Sequence, residues 1–145
     1  MRQPRFSFEL TVPGGPEQVW ARLWNLNRHT AAVPFTSAAG GPLGAGVRFA
    51  ARTGVGRVGF DDVMLVREWD PPHRAVIDKV GRVLTGTIEV TLAPGEPQGG
   101  TGTPTTLVRW SQRYGATKVP DALASLVAPA VRAAYRTAVR RITRP

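Results

Sequence analysis

The chain contains no cysteine among its 145 residues. Disulfide bonds, thiolate nucleophiles and zinc sites built on thiolates are therefore excluded. The sequence also lacks any apolar run of the roughly 20 residues that a transmembrane helix needs. Residues 1–12 contain neither the apolar stretch nor the small-residue cleavage site of a secretory signal, so a cytoplasmic location is expected.

Acidic residues are scarce, because ten Asp and Glu stand against nineteen Lys and Arg, for a formal net charge of +9. Such an excess is compatible with an anionic partner, such as nucleic acid or an anionic membrane. Lysine is scarcer still, since Lys79 and Lys118 are the only two beside seventeen arginines. Together with 16 glycines and 13 prolines, this arginine bias is also what the codon usage of a GC-rich genome produces.

The remaining composition is that of one soluble globular domain, residues 1–145, with 42% hydrophobic and 20% charged residues. Phe6, Phe8, Leu10 and Val12 alternate with polar residues, which predicts a half-buried strand over 5–12.

Two helical segments are predicted after this strand. Pro16 suits the first position of an amphipathic helix over 16–27, because its missing N–H would have had no partner there. A second helical turn is predicted at 28–33, before Pro34, and a loop of small residues at 36–46.

The rest of the chain predicts a sheet followed by a helix. Turn residues separate strands at 47–51, 57–69, 74–80, 83–92 and 106–114. Apolar residues at spacings of three and four predict one long helix over 120–143, kinked at Pro129. Strands followed by a helix in this order predict an α+β domain.

Two further sequence features could suggest a cofactor site, but neither has the surroundings that such a site requires. Residues 54–59 fit GxGxxG, but a strand follows them instead of the helix that a dinucleotide site requires, so a hairpin corner is predicted. His29 and His73 are far apart in the sequence, and no metal site is predicted. We expect no cofactor.

Several segments resemble the SRPBCC superfamily of START-like, polyketide-cyclase-like and birch-pollen-allergen-like domains. The matching segments are Val12-Pro13 followed by Pro16-Glu17-Gln18-Val19-Trp20, then Arg67-Glu68-Trp69-Asp70-Pro71-Pro72, then Thr106-Leu107-Val108-Arg109-Trp110, then the C-terminal helix with its internal proline. The resemblance implies a helix-grip fold, in which a curved antiparallel sheet of six or seven strands wraps a long C-terminal helix. It also implies an apolar cavity for a small molecule or lipid. Cyclase-like members often carry an aromatic-proline cluster after the first helix, of which residues 27–35 keep only Pro34-Phe35.

Asp62 is the most informative candidate in such a cavity. Alternation along its strand places it on the same face as Phe60 and Met64, and a carboxylate on an apolar wall is costly unless it is paired. It would fix a ligand hydroxyl or act as a general acid or base, unless a register slip turns it to water. The predicted ligand-binding residues are Trp24, Phe60, Asp62, Met64, Ile77, Trp110, Gln112, Tyr114, Leu126 and Ala130.

Three functions remain open at the level of sequence. The first is a carrier or sensor for a hydrophobic lipid, isoprenoid or polyketide-like molecule. The second is a cyclase or aromatase, with Asp62 or Tyr114 as acid or base. The third is a module that binds a polyanion or an acidic protein through Arg132, Arg136 and Arg140, although a charged outer helix face is also the usual complement of an apolar inner one.

Overall fold

The computed structural model describes residues 3–32, 36–39, 42–55, 57–97 and 102–145. In order along the chain, the elements are β1 (Arg5–Pro13), α1 (Pro16–Leu23), α2 (Leu26–Ala32), β2 (Thr36–Ala39), β3 (Arg48–Val55), β4 (Val58–Asp70), β5 (Arg74–Val80), β6 (Leu84–Pro94), β7 (Thr105–Ala116), α3 (Asp121–Leu126) and α4 (Ala128–Ile142). The strands pair antiparallel in the order β1-β7-β6-β5-β4-β3-β2. This is the predicted helix-grip arrangement.

The core lies between the inner face of the sheet and the helices. Strand β1 buries every second residue, as its alternating sequence predicts, and Phe8 stacks on Trp110 of β7 with ring centroids 5.9 Å apart. Tyr135 of α4 packs against the same Trp110 at 5.9 Å. These contacts join the helix to the edge of the sheet.

The predicted helix over 16–27 is divided into α1 and α2. Asn25 causes the division, because its side-chain Oδ1 accepts a hydrogen bond from the Asn27 N–H at 3.0 Å. Its backbone carbonyl accepts from the Arg28 N–H at 3.0 Å. An asparagine that satisfies free N–H groups in this way starts a new helix. Helix α2 therefore begins earlier than the predicted turn at 28–33, while Val33, Pro34 and Phe35 lie outside the described residues.

Strands β3 and β4 form the predicted hairpin corner. Gly54 pairs with Gly59 and Val55 with Val58, so the GxGxxG segment leads from strand to strand. The loop predicted at 36–46 is wrong in part, because Thr36–Ala39 form the short strand β2 against β3. Small residues carry little strand signal of their own, and this pairing comes from the neighbouring strand.

The single kinked helix predicted over 120–143 is wrong. The structure has two helices, α3 and α4, which meet at Val127. Pro129 lies in the first turn of α4, where a proline needs no N–H partner, whereas inside a continuous helix its ring would clash with the preceding turn. A new helix start satisfies that constraint better than a kink.

Arg28 fastens the end of α4 to α2. Its Nη1 donates to the carbonyl oxygens of Ile142, at 3.0 Å, and of Arg144. These carbonyls lie at or beyond the end of α4 and have no partner within the helix.

Gly86 of β6 is required by the close approach of β7. Its φ of +135° is one that side chains with a Cβ rarely adopt, and a Cβ added there would lie 2.0 Å from the Arg113 carbonyl oxygen. Gly86 pairs with Lys79 on one side and Tyr114 on the other. The position therefore fixes the middle of the sheet where the candidate site begins.

Gly86→Ala is expected to lower the free energy of unfolding by at least about 2 kcal/mol, because the backbone of β7 must move away. Urea denaturation followed by tryptophan fluorescence measures the loss. Gly44→Ala is the matched control, since a Cβ there meets its nearest atom at 3.9 Å. Equal stabilities of the two variants would contradict the requirement.

Candidate ligand-binding cavity

A cavity of about 320 Å³ lies between the sheet and helices α2 and α4. This volume is at the lower end of the range for small-molecule sites, roughly 300–1,000 Å³. Most of the wall is apolar, and the strands β3 to β7 each contribute residues. The lining residues are Trp24, Leu26, His29, Leu43, Phe49, Ala51, Asp62, Met64, Ile77, Lys79, Leu84, Ile88, Trp110, Ala134, Tyr135 and Ala138.

An ion pair between Asp62 and Lys79 interrupts the apolar wall. Asp62 follows the inward alternation of β4 and Lys79 that of β5, and their exposed fractions are 8% and 6%. The Lys79 ammonium donates from Nζ to Asp62 Oδ2. Two buried charges are tolerated here because each is the partner of the other.

Tyr135 of α4 covers the lysine from the helix side. The Lys79 Nζ lies 5.9 Å from the centroid of the Tyr135 ring, within the range of a cation–π contact. Burial disfavours the ammonium form, but Tyr135 and Asp62 more than offset it, so the pKa of Lys79 lies above its ordinary value. Lys79 is therefore a charged hydrogen-bond donor and not a free amine nucleophile.

His29 is the third titratable group of the wall. Its Nε2 donates to the carbonyl oxygen of Leu23 at the end of α1, which fixes the proton on that nitrogen. Burial lowers the pKa of His29 and outweighs the opposing effect of this hydrogen bond. The neutral ring leaves the cavity with one positive and one negative charge.

Five of the predicted ligand-binding residues line the cavity: Trp24, Asp62, Met64, Ile77 and Trp110. Phe60 is half-buried but does not line it, because β4 begins at a corner where Val58 is 80% exposed. Phe60 is therefore not part of the wall of this cavity, and its contact with a ligand stays a prediction.

Gln112 and Tyr114 form hydrogen bonds with other residues of the protein and do not line the cavity. Gln112 is buried, and its Oε1 accepts a hydrogen bond from the indole N–H of Trp110 at 3.0 Å. The Tyr114 hydroxyl donates to the Ala124 carbonyl oxygen at 2.8 Å and so ties β7 to α3. The prediction that these two polar groups project into the pocket is therefore wrong.

Leu126 and Ala130 are exposed to solvent, and Leu126 retains 77% of its accessible surface. Their assignment to the cavity wall is wrong. Leu126 belongs to α3, before the break at Val127, so the apolar spacing of α4 does not extend to it. Ala130 lies on α4 one turn before the part of the helix that reaches the cavity, where Ala134, Tyr135 and Ala138 form the wall.

Eleven of the lining residues are absent from the set predicted from the sequence, and the polar ones among them are His29, Lys79 and Tyr135. A signal for Lys79 exists, since it follows Ile77 by two positions in a strand and must share its face. Tyr135 directly follows another lining residue, Ala134, on α4. His29 could not be found from periodicity, because helix α2 is too short to show a repeating apolar pattern.

The predicted anion-binding arginines lie at the β1 edge and along α4. Arg132 Nε donates a hydrogen bond to the Ser7 carbonyl oxygen at 2.8 Å. Arg132 and Arg136 line a surface groove that is separate from the cavity, together with Glu9 and Glu89. Arg140 is exposed. Binding of a polyanion by these residues stays a prediction.

Two absences concern the described residues alone. No three His, Asp or Glu side chains among them lie close enough together to hold a metal ion. None of the helices in the described ranges is long and apolar enough to cross a membrane.

Comparison with known proteins gives structural matches only. No protein-family model matches the sequence, and no curated protein matches it. Protein TTHA0849 of Thermus thermophilus is similar in structure, with a TM-score of 0.71 and 17% identity over 97% of this chain and 94% of its own. Protein NE0264 of Nitrosomonas europaea gives 0.70 and 11% over 97% and 92%.

A third similar structure is a Thalictrum flavum norcoclaurine synthase mutant in complex with a transition-state analogue. Its TM-score is 0.60 at 14% identity, over 97% of this chain and 94% of its own. The likeness is one of fold. It agrees with the helix-grip architecture that the resemblance implied.

Lys79→Met is expected to lower the free energy of unfolding by about 3–5 kcal/mol, because it leaves the Asp62 carboxylate buried without a counterion. Replacing both partners, as Asp62→Leu with Lys79→Met, is expected to recover most of that loss. Urea denaturation of the wild type and both variants at neutral pH measures the difference. A double variant no more stable than Lys79→Met would show that the pair does not act as a unit.

Stability is expected to fall as the pH drops below about 6.5, where unfolded histidine takes up a proton that folded His29 resists. The stability that the neutral His29 ring contributes is fully present above the pKa of unfolded histidine. It is lost as the pH falls from that value through the lower pKa of folded His29. His29→Gln keeps a donor for the Leu23 carbonyl, and its free energy of unfolding should decline less between pH values of about 7.5 and about 5.5. The exposed His73→Gln is the control and should keep the wild-type slope. The same slope in both variants would remove His29 as the cause.

Proposed function

We propose that this protein binds a small hydrophobic molecule, of a lipid, isoprenoid or polyketide-like class, as a carrier or sensor. The observation that supports this proposal best is the cavity itself. It is lined mainly by apolar side chains, such as Phe49, Ile77 and Ile88, and its two charges neutralise each other. A cavity of this composition favours an occupant with a largely apolar body.

The free energy of binding would come chiefly from the burial of apolar surface, at roughly 25 cal/mol per Å² of area removed from water. The few polar groups would orient the ligand more than they strengthen its binding. The complex of the Thalictrum norcoclaurine synthase with a transition-state analogue supports the proposal, since a fold neighbour holds a small molecule.

An enzyme of the cyclase or aromatase type is the second candidate, favoured by a carboxylate in the cavity wall. Of the two predicted acid/base residues, Asp62 lines the cavity while the Tyr114 hydroxyl is bound to the Ala124 carbonyl. Catalysis would then depend on Asp62 and on holding the substrate in a reactive conformation. A carrier releases its ligand unchanged, so recovery of a chemically altered ligand would favour the enzyme.

Filling the cavity is expected to abolish binding while the protein still folds. Ala134 lines the cavity from α4, so Ala134→Trp should weaken binding of the neutral fluorescent probe N-phenylnaphthylamine by at least about tenfold. Ala130→Trp is the matched control, because Ala130 lies one turn earlier on α4 and does not line the cavity. It should bind the probe as the wild type does.

Fluorescence titration gives both affinities, and circular dichroism checks that each variant is folded. Native mass spectrometry of gently purified wild-type protein should also detect a co-purified apolar molecule, at one per chain. Equal probe binding by the two tryptophan variants would contradict the cavity as the binding site.

A further inference from the structure

Two buried polar atoms of the cavity wall have no hydrogen-bond partner within the described part of the chain. One is Asp62 Oδ1, the carboxylate oxygen that Lys79 does not use, and the other is Trp24 Nε1. A buried polar group without a partner is destabilising, because it has lost its hydrogen bonds to water. Both residues line the same cavity, so its occupant is placed to supply the two missing partners.

The two atoms require opposite groups. A carboxylate oxygen accepts hydrogen bonds and an indole N–H donates, so the ligand must bring one donor and one acceptor. The other three tryptophans do not share this need, because their indole nitrogens are not among the buried unpaired atoms of the described residues, and Trp110 donates to Gln112.

The charges of the wall require an uncharged ligand. Lys79 and Asp62 neutralise each other, and burial favours the neutral ring of His29. A carboxylate ligand would place a second anion beside Asp62, and an amine a second cation beside Lys79. Either would leave the cavity with a net charge, which is costly in an apolar environment.

From these three constraints we propose that the ligand is an uncharged hydroxy-carbonyl compound with an apolar body. Its hydroxyl donates to Asp62 Oδ1, and its carbonyl oxygen accepts from Trp24 Nε1. The inference rests on the proposed function, because it names the class of molecule that the same cavity binds.

The test uses four probes that differ only in these groups. They are an acetylnaphthol with its two substituents on opposite rings, the acetylnaphthalene that lacks the hydroxyl, the ethylnaphthol that lacks the carbonyl oxygen, and the ethylnaphthalene that lacks both. Displacement of N-phenylnaphthylamine gives their affinities. Loss of either polar group should weaken binding to the wild type by about tenfold. A fifth probe, the acetylnaphthoic acid that carries a carboxylate in place of the hydroxyl, should be weakened by at least as much.

Each loss should disappear in the variant that removes its partner. Trp24→Phe keeps an aromatic ring against Trp20 and Trp69 but removes the N–H, so the acetyl and ethyl probes should bind it equally. Trp69→Phe is the matched control from the same aromatic cluster and should keep the wild-type preference. The double variant Asp62→Leu with Lys79→Met should lose the preference for probes that carry the hydroxyl. If that variant does not fold, the double variant Asp62→Asn with Lys79→Gln replaces it and should show a reduced preference.

The outcomes separate this inference from the proposed function. Equal binding of all four probes to the wild type would overturn the inference and leave the cavity as a binding site. Absence of binding by N-phenylnaphthylamine and by every probe would overturn both. A hydroxyl preference that persists without Asp62 would overturn the assignment of that atom.

Discussion

The buried ion pair between Asp62 and Lys79 is the interaction on which the rest of the site depends. Neither charge could remain in an apolar wall alone, and the pair exists only because β4 and β5 are neighbours in antiparallel register. Gly86 lies on the next strand opposite Lys79, where β6 and β7 approach too closely for any side chain. Sheet geometry and site chemistry are therefore fixed at the same place.

Local patterns in the sequence predict much of this fold and some of the site. The alternation of residues in β1 and β4 predicts that Phe8, Asp62 and Met64 point to the inner face of the sheet, because successive side chains of a strand point to opposite faces. The same rule applied to β5 would have found Lys79 beside Ile77. The prediction for Leu126 was wrong for a different reason. It treated the apolar residues on both sides of Pro129 as one face of a single helix, whereas they belong to two helices, α3 and α4.

What the sequence could not provide is which polar groups are already used by the protein. Gln112 and Tyr114 share a strand face with Trp110, but Gln112 accepts a hydrogen bond from Trp110 itself and Tyr114 donates one to the Ala124 carbonyl of α3. The fold neighbours do not supply this information either, since at 11–17% identity the likeness is one of fold.

The guanidinium of Arg28 joins two walls of the cavity mechanically. Helix α2 carries Leu26 and His29 into the wall, while α4 carries Ala134, Tyr135 and Ala138. Because Arg28 on α2 holds the carbonyl groups at the end of α4, an outward movement of α2 must either break those bonds or carry the end of α4 with it. Widening the cavity on this side therefore either costs both hydrogen bonds or displaces the C-terminal end of the chain as well.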